Sequence, residues 1–96
     1  MDFDQHDIDW LRAVVELNTS VARSYANGVV AHMPETGRSG SPVRAREVLS
    51  EVTRLEERAK STTIPKMLID AVVDSAYWRG LATGLAPIHV RLLKEG

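Results

Sequence analysis

The residues best able to do chemistry are two pairs of carboxylates, each pair spaced one helical turn apart. Glu47 and Glu51 form the first pair, and Asp70 and Asp74 form the second. If the pairs lay on facing helices, their four carboxylates could hold Mg²⁺ for pyrophosphate chemistry. A Mg²⁺ site is therefore the strongest enzymatic hypothesis that the sequence offers.

The acidic pairs resemble those of the all-α nucleotide pyrophosphohydrolases of the MazG type, which hold Mg²⁺ between adjacent helices. The spacing in that family is i, i+3, whereas it is i, i+4 here. Helical periodicity also places Asp70 and Asp74 on a side that we interpret as solvent-facing. A Mg²⁺-dependent hydrolase of this class is the second alternative. We expect instead a protein that is not an enzyme and that uses no metal, cofactor or small-molecule substrate.

Other catalytic patterns are missing from the sequence. The absence of cysteine excludes disulfides and thiolate zinc sites. His6, His32 and His89 are far apart and lack the spacing of metal ligands. The segment ETGRSGS has neither the glycine spacing nor the lysine of a phosphate-binding loop.

A basic cluster at Arg38, Arg44 and Arg46 could contact phosphate groups. The whole chain has a formal net charge of −1, so it has no general attraction to nucleic acid. Asp70 and Asp74 would also repel a DNA backbone from the third predicted helix. A DNA-binding regulator is the first alternative, and nucleic acid is not the partner that we expect.

The 96 residues predict a single helical domain over 1–96. No uncharged apolar run reaches the roughly 18–20 residues that cross a bilayer, and the acidic first residues do not resemble a secretory signal. We expect a cytoplasmic protein with no membrane partner. A chain of this length has a small core and little spare stability, which favours association with another chain.

The first predicted helix spans about 5–33. Asp4 is suited to be its N-cap, with Asp7 three residues later, and Phe3 and Ile8 can form a hydrophobic staple. Apolar residues then recur at helical spacing, at Leu11, Val14, Val15, Leu17, Val21, Ala22, Tyr25 and Val29. The opposite side is polar and is expected to face solvent, with Arg12, Glu16, Thr19, Arg23 and Asn27.

Prolines and glycines predict a loop over 34–42. A second helix is expected over about 42–60. Its apolar stripe is narrow and consists of Ala45, Val48, Leu49, Val52, Leu55 and Ala59.

A third helix is expected over about 64–86 with a continuation to about 94. Thr63 is its expected N-cap, and Pro87 either kinks the helix or begins a separate last turn. Three helices with short connections imply antiparallel neighbours. The predicted fold class is therefore all-α, a three-helix bundle or helical hairpin array.

The second half of the third helix is apolar almost all round, so the side expected to face solvent lacks polar residues. We predict that it contacts a partner through Tyr77, Trp78, Leu81, Gly84 and Ile88. A strip of small residues suits close helix packing, within the chain or between chains, at Ala76, Gly80 and Gly84. Arg79 falls on the core side. It either reaches solvent from the edge of the core or forms a buried ion pair with a carboxylate such as Glu16 or Glu51.

These patterns predict a small helical protein that acts through protein–protein contacts. Its partner is expected to be a second copy, another protein or both, and we expect a homodimer. An accessory, adaptor or inhibitory role fits such a protein, as does an origin in a phage or another mobile element.

Overall fold

The computed structural model describes the backbone of residues 3–32 and 41–95 and the side chains of residues 3–31 and 44–84. The described part consists of three packed α-helices, which confirms the all-α class. They are α1 (Gln5–His32), α2 (Ser41–Ser61) and α3 (Pro65–Glu95).

Helix α1 begins with a capping box made of two aspartates. The backbone N–H of Asp7 donates to Asp4 Oδ1 at 2.9 Å, and the backbone N–H of Asp4 donates to Asp7 Oδ2 at 3.2 Å. Phe3 packs against the core cluster that contains Ile8. The predicted N-cap is confirmed, while a direct staple contact between Phe3 and Ile8 stays a prediction.

The helices run up, down and up, so α1 and α3 are parallel. Asn18 near the middle of α1 bonds to Ser75 and Arg79 near the middle of α3. Leu11 and Leu68 share one core cluster, near the N-terminal ends of these two helices. Helix α2 returns antiparallel to both and contacts both.

Two apolar clusters fill the bundle, one towards each end. The first consists of Ile8, Leu11, Val15, Leu55, Ala59, Leu68 and Ala71. The second consists of Ala22, Ala26, Val29, Ala45, Val48, Val52 and Ala82. Trp78 is half-buried and packs against both clusters, so it joins the two halves of the core. The inner stripe predicted for α2 is confirmed, with Leu49 half-buried at its edge.

The faces of α1 differ from the prediction at five positions. Arg12 and Arg23, expected to face solvent, are half-buried and bind α2. Thr19, expected on the solvent side, is fully buried, and its hydroxyl donates to the Glu16 carbonyl at 3.1 Å.

Leu17 and Tyr25, expected in the core stripe, are exposed. Helices α2 and α3 cover only one side of α1, centred near Ala22. Apolar residues at the margin of that side therefore remain exposed to solvent.

Arg12 connects α1 to the C-terminal end of α2. Its Nε donates to the Ala59 carbonyl at 3.0 Å and its Nη2 to the Thr62 carbonyl at 2.7 Å. Backbone acceptors at a helix C-terminus lack helical partners, and the helix dipole favours a cation there.

The predicted N-cap at Thr63 is wrong by one residue: α3 begins at Pro65, and the Ile64 carbonyl accepts the Leu68 N–H at 3.1 Å, which places the N-cap at Ile64. The Ile64 N–H donates to the Thr62 hydroxyl at 3.1 Å.

Helix α3 is one element from Pro65 to Glu95, so Pro87 does not begin a separate helix, and a kink there stays a prediction. The loop expected over 34–42 lies outside the described residues, apart from Ser41 and Pro42 at the start of α2. Within the described ranges, no helix has both the length and the hydropathy that a bilayer crossing needs. The bundle measures 53 × 17 × 16 Å, so each helix keeps a wide solvent side.

Candidate functional site

The structure does not assemble the four carboxylates of the Mg²⁺ hypothesis. Among the described residues, no group of three or more histidine or carboxylate side chains is arranged to hold a metal ion. Glu51 pairs with Arg54 within α2, and Asp70 accepts a hydrogen bond from Lys66 Nζ at 3.1 Å within α3. Glu47, Glu51, Asp70 and Asp74 therefore do not form the four-carboxylate cluster that the hydrolase alternative requires.

The charges on α3 count against nucleic acid as a partner. Asp70 and Asp74 are both exposed, where they would repel a phosphate backbone. Arg44, from the basic cluster, contacts Glu47 with 3.4 Å between Nη1 and Oε2. Arg38 lies outside the described residues.

The five residues predicted as a partner interface divide between two sides of α3. Trp78 and Leu81 are half-buried and pack against the core cluster shared with α2. Tyr77 is 63% exposed and Gly84 is also exposed, while the side chain of Ile88 lies outside the described residues. The Tyr77 ring meets the Trp78 ring edge-on, with centroids 5.1 Å apart. The half-buried tryptophan therefore supports the exposed tyrosine.

The strip of small residues on α3 faces open space. Ala76, Gly80 and Gly84 are exposed. A Cβ atom added to either glycine would meet no heavy atom of the described chain within 4 Å, and the same is true of Gly28 on α1. The glycines thus make no close crossing within the described part of the chain, and close packing against another chain stays a prediction.

Of its two alternatives, Arg79 does not form the ion pair with a carboxylate of the described residues. Its Nη1 donates to Asn18 Oδ1 at 3.0 Å, and the residue is exposed, so it reaches solvent from the edge of the core. Neither Glu16 nor Glu51 is its partner. Asn18, which the sequence patterns do not single out, is 6% exposed and also donates through Nδ2 to Ser75 Oγ at 3.2 Å.

Large apolar residues are exposed on the side of the bundle opposite α2. On α1, Trp10 and Leu17 are 62% and 58% exposed. At about 100° per residue, they lie roughly 120–160° around the helix from Arg12 and Arg23, the residues that bind α2. This flank of α1 therefore faces away from α2.

On α3, Ile69 and Val73 are exposed in the same way, Val73 by 62%. They lie roughly 140–180° around the helix from Trp78, which packs towards α2. The two flanks form one surface, because α1 and α3 are neighbours. We call it the α1/α3 face, and its residues are Trp10, Val14, Leu17, Val21 and Gly28 of α1 and Ile69, Val73, Ala76, Gly80 and Gly84 of α3, with Tyr77 at its edge.

The prediction from sequence contained only the α3 part of this face, through the small-residue strip and Tyr77. The α1 part was missed because Leu17 belongs to a continuous apolar stripe and was assigned to the core. The available signal was the width of that stripe, which extends from Val15 through Val14 and Val21 to Leu17.

Carboxylates gather at the end of the bundle where α1 and α3 begin. Asp4, Asp7 and Asp9 lie on α1 or at its cap, and Asp70 lies near the start of α3. We call these four residues the acidic pole. Lys66, the cation on the first turn of α3, is bonded to Asp70. The bundle therefore has a concentration of negative charge at this end, while Arg79 lies near the middle, level with Asn18.

A shallow groove of about 210 Å³ separates α1 from α2. It is lined by Arg12, Val15, Glu16, Glu56, Ala59 and Lys60. Arg12 binds the carbonyls of α2, and Glu56 pairs with Arg23 of α1. These residues hold the two helices together, so the groove belongs to the α1–α2 contact.

No protein-family model, curated protein or solved structure matches this chain.

Proposed function

We propose that this chain is a small, non-enzymatic helical protein that acts through protein–protein contacts at the α1/α3 face. One observation carries the proposal: Trp10, Leu17 and Val73 are each 58–62% exposed on the α1/α3 face, and Tyr77 at its edge is 63% exposed. Burying apolar surface is the main driving force for protein association, and a contiguous exposed apolar patch marks an interaction site.

The predicted interface residues have two different roles in this proposed contact. Tyr77 and Gly84 lie on the face and would contact the partner directly. Trp78 and Leu81 pack against the core, and Trp78 positions the Tyr77 ring. A homodimer, an adaptor and an inhibitor would all use such a surface, and we propose a cytoplasmic accessory protein, which fits a phage or mobile-element origin.

Site-specific photo-crosslinking in cells of the source organism tests this proposal. Replacing Tyr77 with p-benzoylphenylalanine puts the crosslinker at the edge of the α1/α3 face, and replacing Ser50, which is exposed on α2, gives the matched control. We expect discrete covalent adducts from position 77, whether with a second copy or with another protein. Adducts no more abundant or discrete than those from position 50 would contradict the proposal.

A further inference from the structure

We infer that the α1/α3 face binds a second copy of this chain in antiparallel orientation, with the exposed bulky side chains of each copy seated over the glycines of the other. This inference rests on the proposed function and names the partner. Homodimers are built on two-fold axes, which bring identical faces together and pair residue i of one copy with residue j of the other. The α1/α3 face can therefore be tested for complementarity with itself.

One position of the two-fold axis places exposed apolar residues on α3 of one copy opposite the glycines on α3 of the other copy. If it passes between Ala76 and Tyr77, Val73 of one copy lies level with Gly80 of the other, and Ile69 lies level with Gly84. Ile69 and Val73 are exposed, and both glycines face open space. The two glycines of α3 thus provide room where an antiparallel copy would place branched side chains.

The same axis produces a similar match on α1. Asn18 bonds to Ser75 and Arg79. The point between Ala76 and Tyr77 on α3 therefore lies at the same height along the bundle as the residues around Thr19 on α1. About Thr19, Trp10 of one copy is level with Gly28 of the other, nine residues on either side. Gly28 also has open space where a Cβ would point. The three described glycines of the two helices therefore each face a bulky exposed residue of the second copy.

Charge decides between the two possible orientations. In a parallel dimer the two acidic poles would lie side by side, and their like charges would repel. In the antiparallel dimer the poles lie at opposite ends of the assembly. The residues that define the face are themselves uncharged.

The exposed area is sufficient for a modest dimer. A whole aromatic side chain covers about 150–250 Å², and Trp10 and Tyr77 are 62% and 63% exposed. With the aliphatic residues, the face offers on the order of 400–500 Å² per copy, so two copies bury roughly 1,000 Å², the lower end of specific interfaces. We therefore expect a dissociation constant in the micromolar range.

Sedimentation velocity of the intact chain between about 1 and 200 μM measures this equilibrium directly. We expect a monomer–dimer transition that Gly80→Leu and Val73→Glu each weaken by at least about tenfold. Ser50→Leu, on the exposed side of α2, is the matched control and should leave the transition unchanged. Circular dichroism checks that each variant keeps its helices. A chain that stays monomeric, or a dimer insensitive to both variants, would overturn the inference.

Cysteine pairs test the orientation, because the natural chain contains no cysteine. A mixture of Val73→Cys and Gly80→Cys chains should form a covalent heterodimer on mild oxidation. Each variant alone should crosslink poorly, because its two cysteines would lie about 10 Å apart along the axis, beyond the reach of a disulfide. Efficient crosslinking of Val73→Cys alone, without the mixed product, would overturn the antiparallel register.

The two proposals can fail separately. A monomeric chain whose position 77 crosslinks to a different protein in cells would overturn the second-copy inference and leave the proposed function in place. A monomer with no adduct from position 77 would overturn both.

Discussion

The most unusual residues of this small bundle are the polar ones in its core. Asn18 and Thr19 of α1 and Ser75 of α3 are buried between the two apolar clusters. Asn18 bonds to Ser75 and Arg79, and the Ser75 hydroxyl donates to the Val72 carbonyl at 2.8 Å. Sliding α3 along α1 would leave these groups buried without partners, which is costly. We interpret the layer as a device that fixes the register of α1 and α3.

This interpretation predicts coupling between Asn18 and Ser75. Ser75→Ala leaves Asn18 Nδ2 buried without its acceptor, so we expect the free energy of unfolding to fall by about 1–3 kcal/mol. The double variant Asn18→Leu/Ser75→Ala should lose less than the sum of the single variants, because both polar partners are removed together. Urea unfolding measures these values. Thr83→Ala, which removes a hydroxyl bonded within α3, is the control, and additive losses would argue against the interpretation.

At the scale of the helices, α1 supplies the cap for the end of α2. Arg12 satisfies two carbonyls there with its guanidinium, and the contact is partly buried. Arg12→Met retains most of the apolar stem and removes the donors, so we expect a loss of about 1.5–3 kcal/mol in stability.

Arg23→Met is the matched comparison for Arg12→Met in urea unfolding. Arg23 pairs with the Glu56 side chain on the same pair of helices, with the two side chains 36% and 27% exposed, and a partly exposed ion pair of this kind contributes about 1 kcal/mol or less. Equal losses from the two variants would show that the Arg12 contact acts as an ordinary surface charge and not as a helix cap.

The glycines of α3 weaken the helix that carries them. Gly80 is exposed and has open space at its Cβ position, so Gly80→Ala should stabilise the isolated chain by about 1 kcal/mol. Gly28→Ala on α1 should do the same for the same reason. Thermal unfolding measures this gain in stability, at a protein concentration low enough to keep the chain monomeric. A loss of stability in either variant would mean that the glycine is needed by the monomer fold, and not for contact with another chain.

At the scale of the whole molecule, three helices in a bundle 53 Å long and 17 × 16 Å across can cover only part of one another. Helix α2 covers one side of α1 and α3, and the α1/α3 face opposite α2 has no cover in the described chain. A second copy on this face would turn two thin three-helix units into one six-helix assembly with an interior layer.

The sequence by itself determined the helices, because their signals are local. Three of these signals depend only on neighbours within a few turns. They are the cap formed by Asp4 and Asp7, the periodic apolar stripe of α2, and the turn-forming residues around 61–65. Those features predicted the all-α class and most of the core residues. Helical periodicity also placed Tyr77 and Gly84 on an apolar side of the third helix that the fold was not expected to cover.

Tertiary structure alone decided which apolar flanks are covered. Leu17 is predicted in the core stripe and is exposed, whereas Leu81 is predicted at the partner interface and is half-buried against the core cluster shared with α2. In the same way, Thr19 is buried although its local pattern is polar. Periodicity reports only the angle of a residue around its own helix, whereas burial depends on where the other two helices lie, and that is set by long-range contacts such as Asn18 with Ser75.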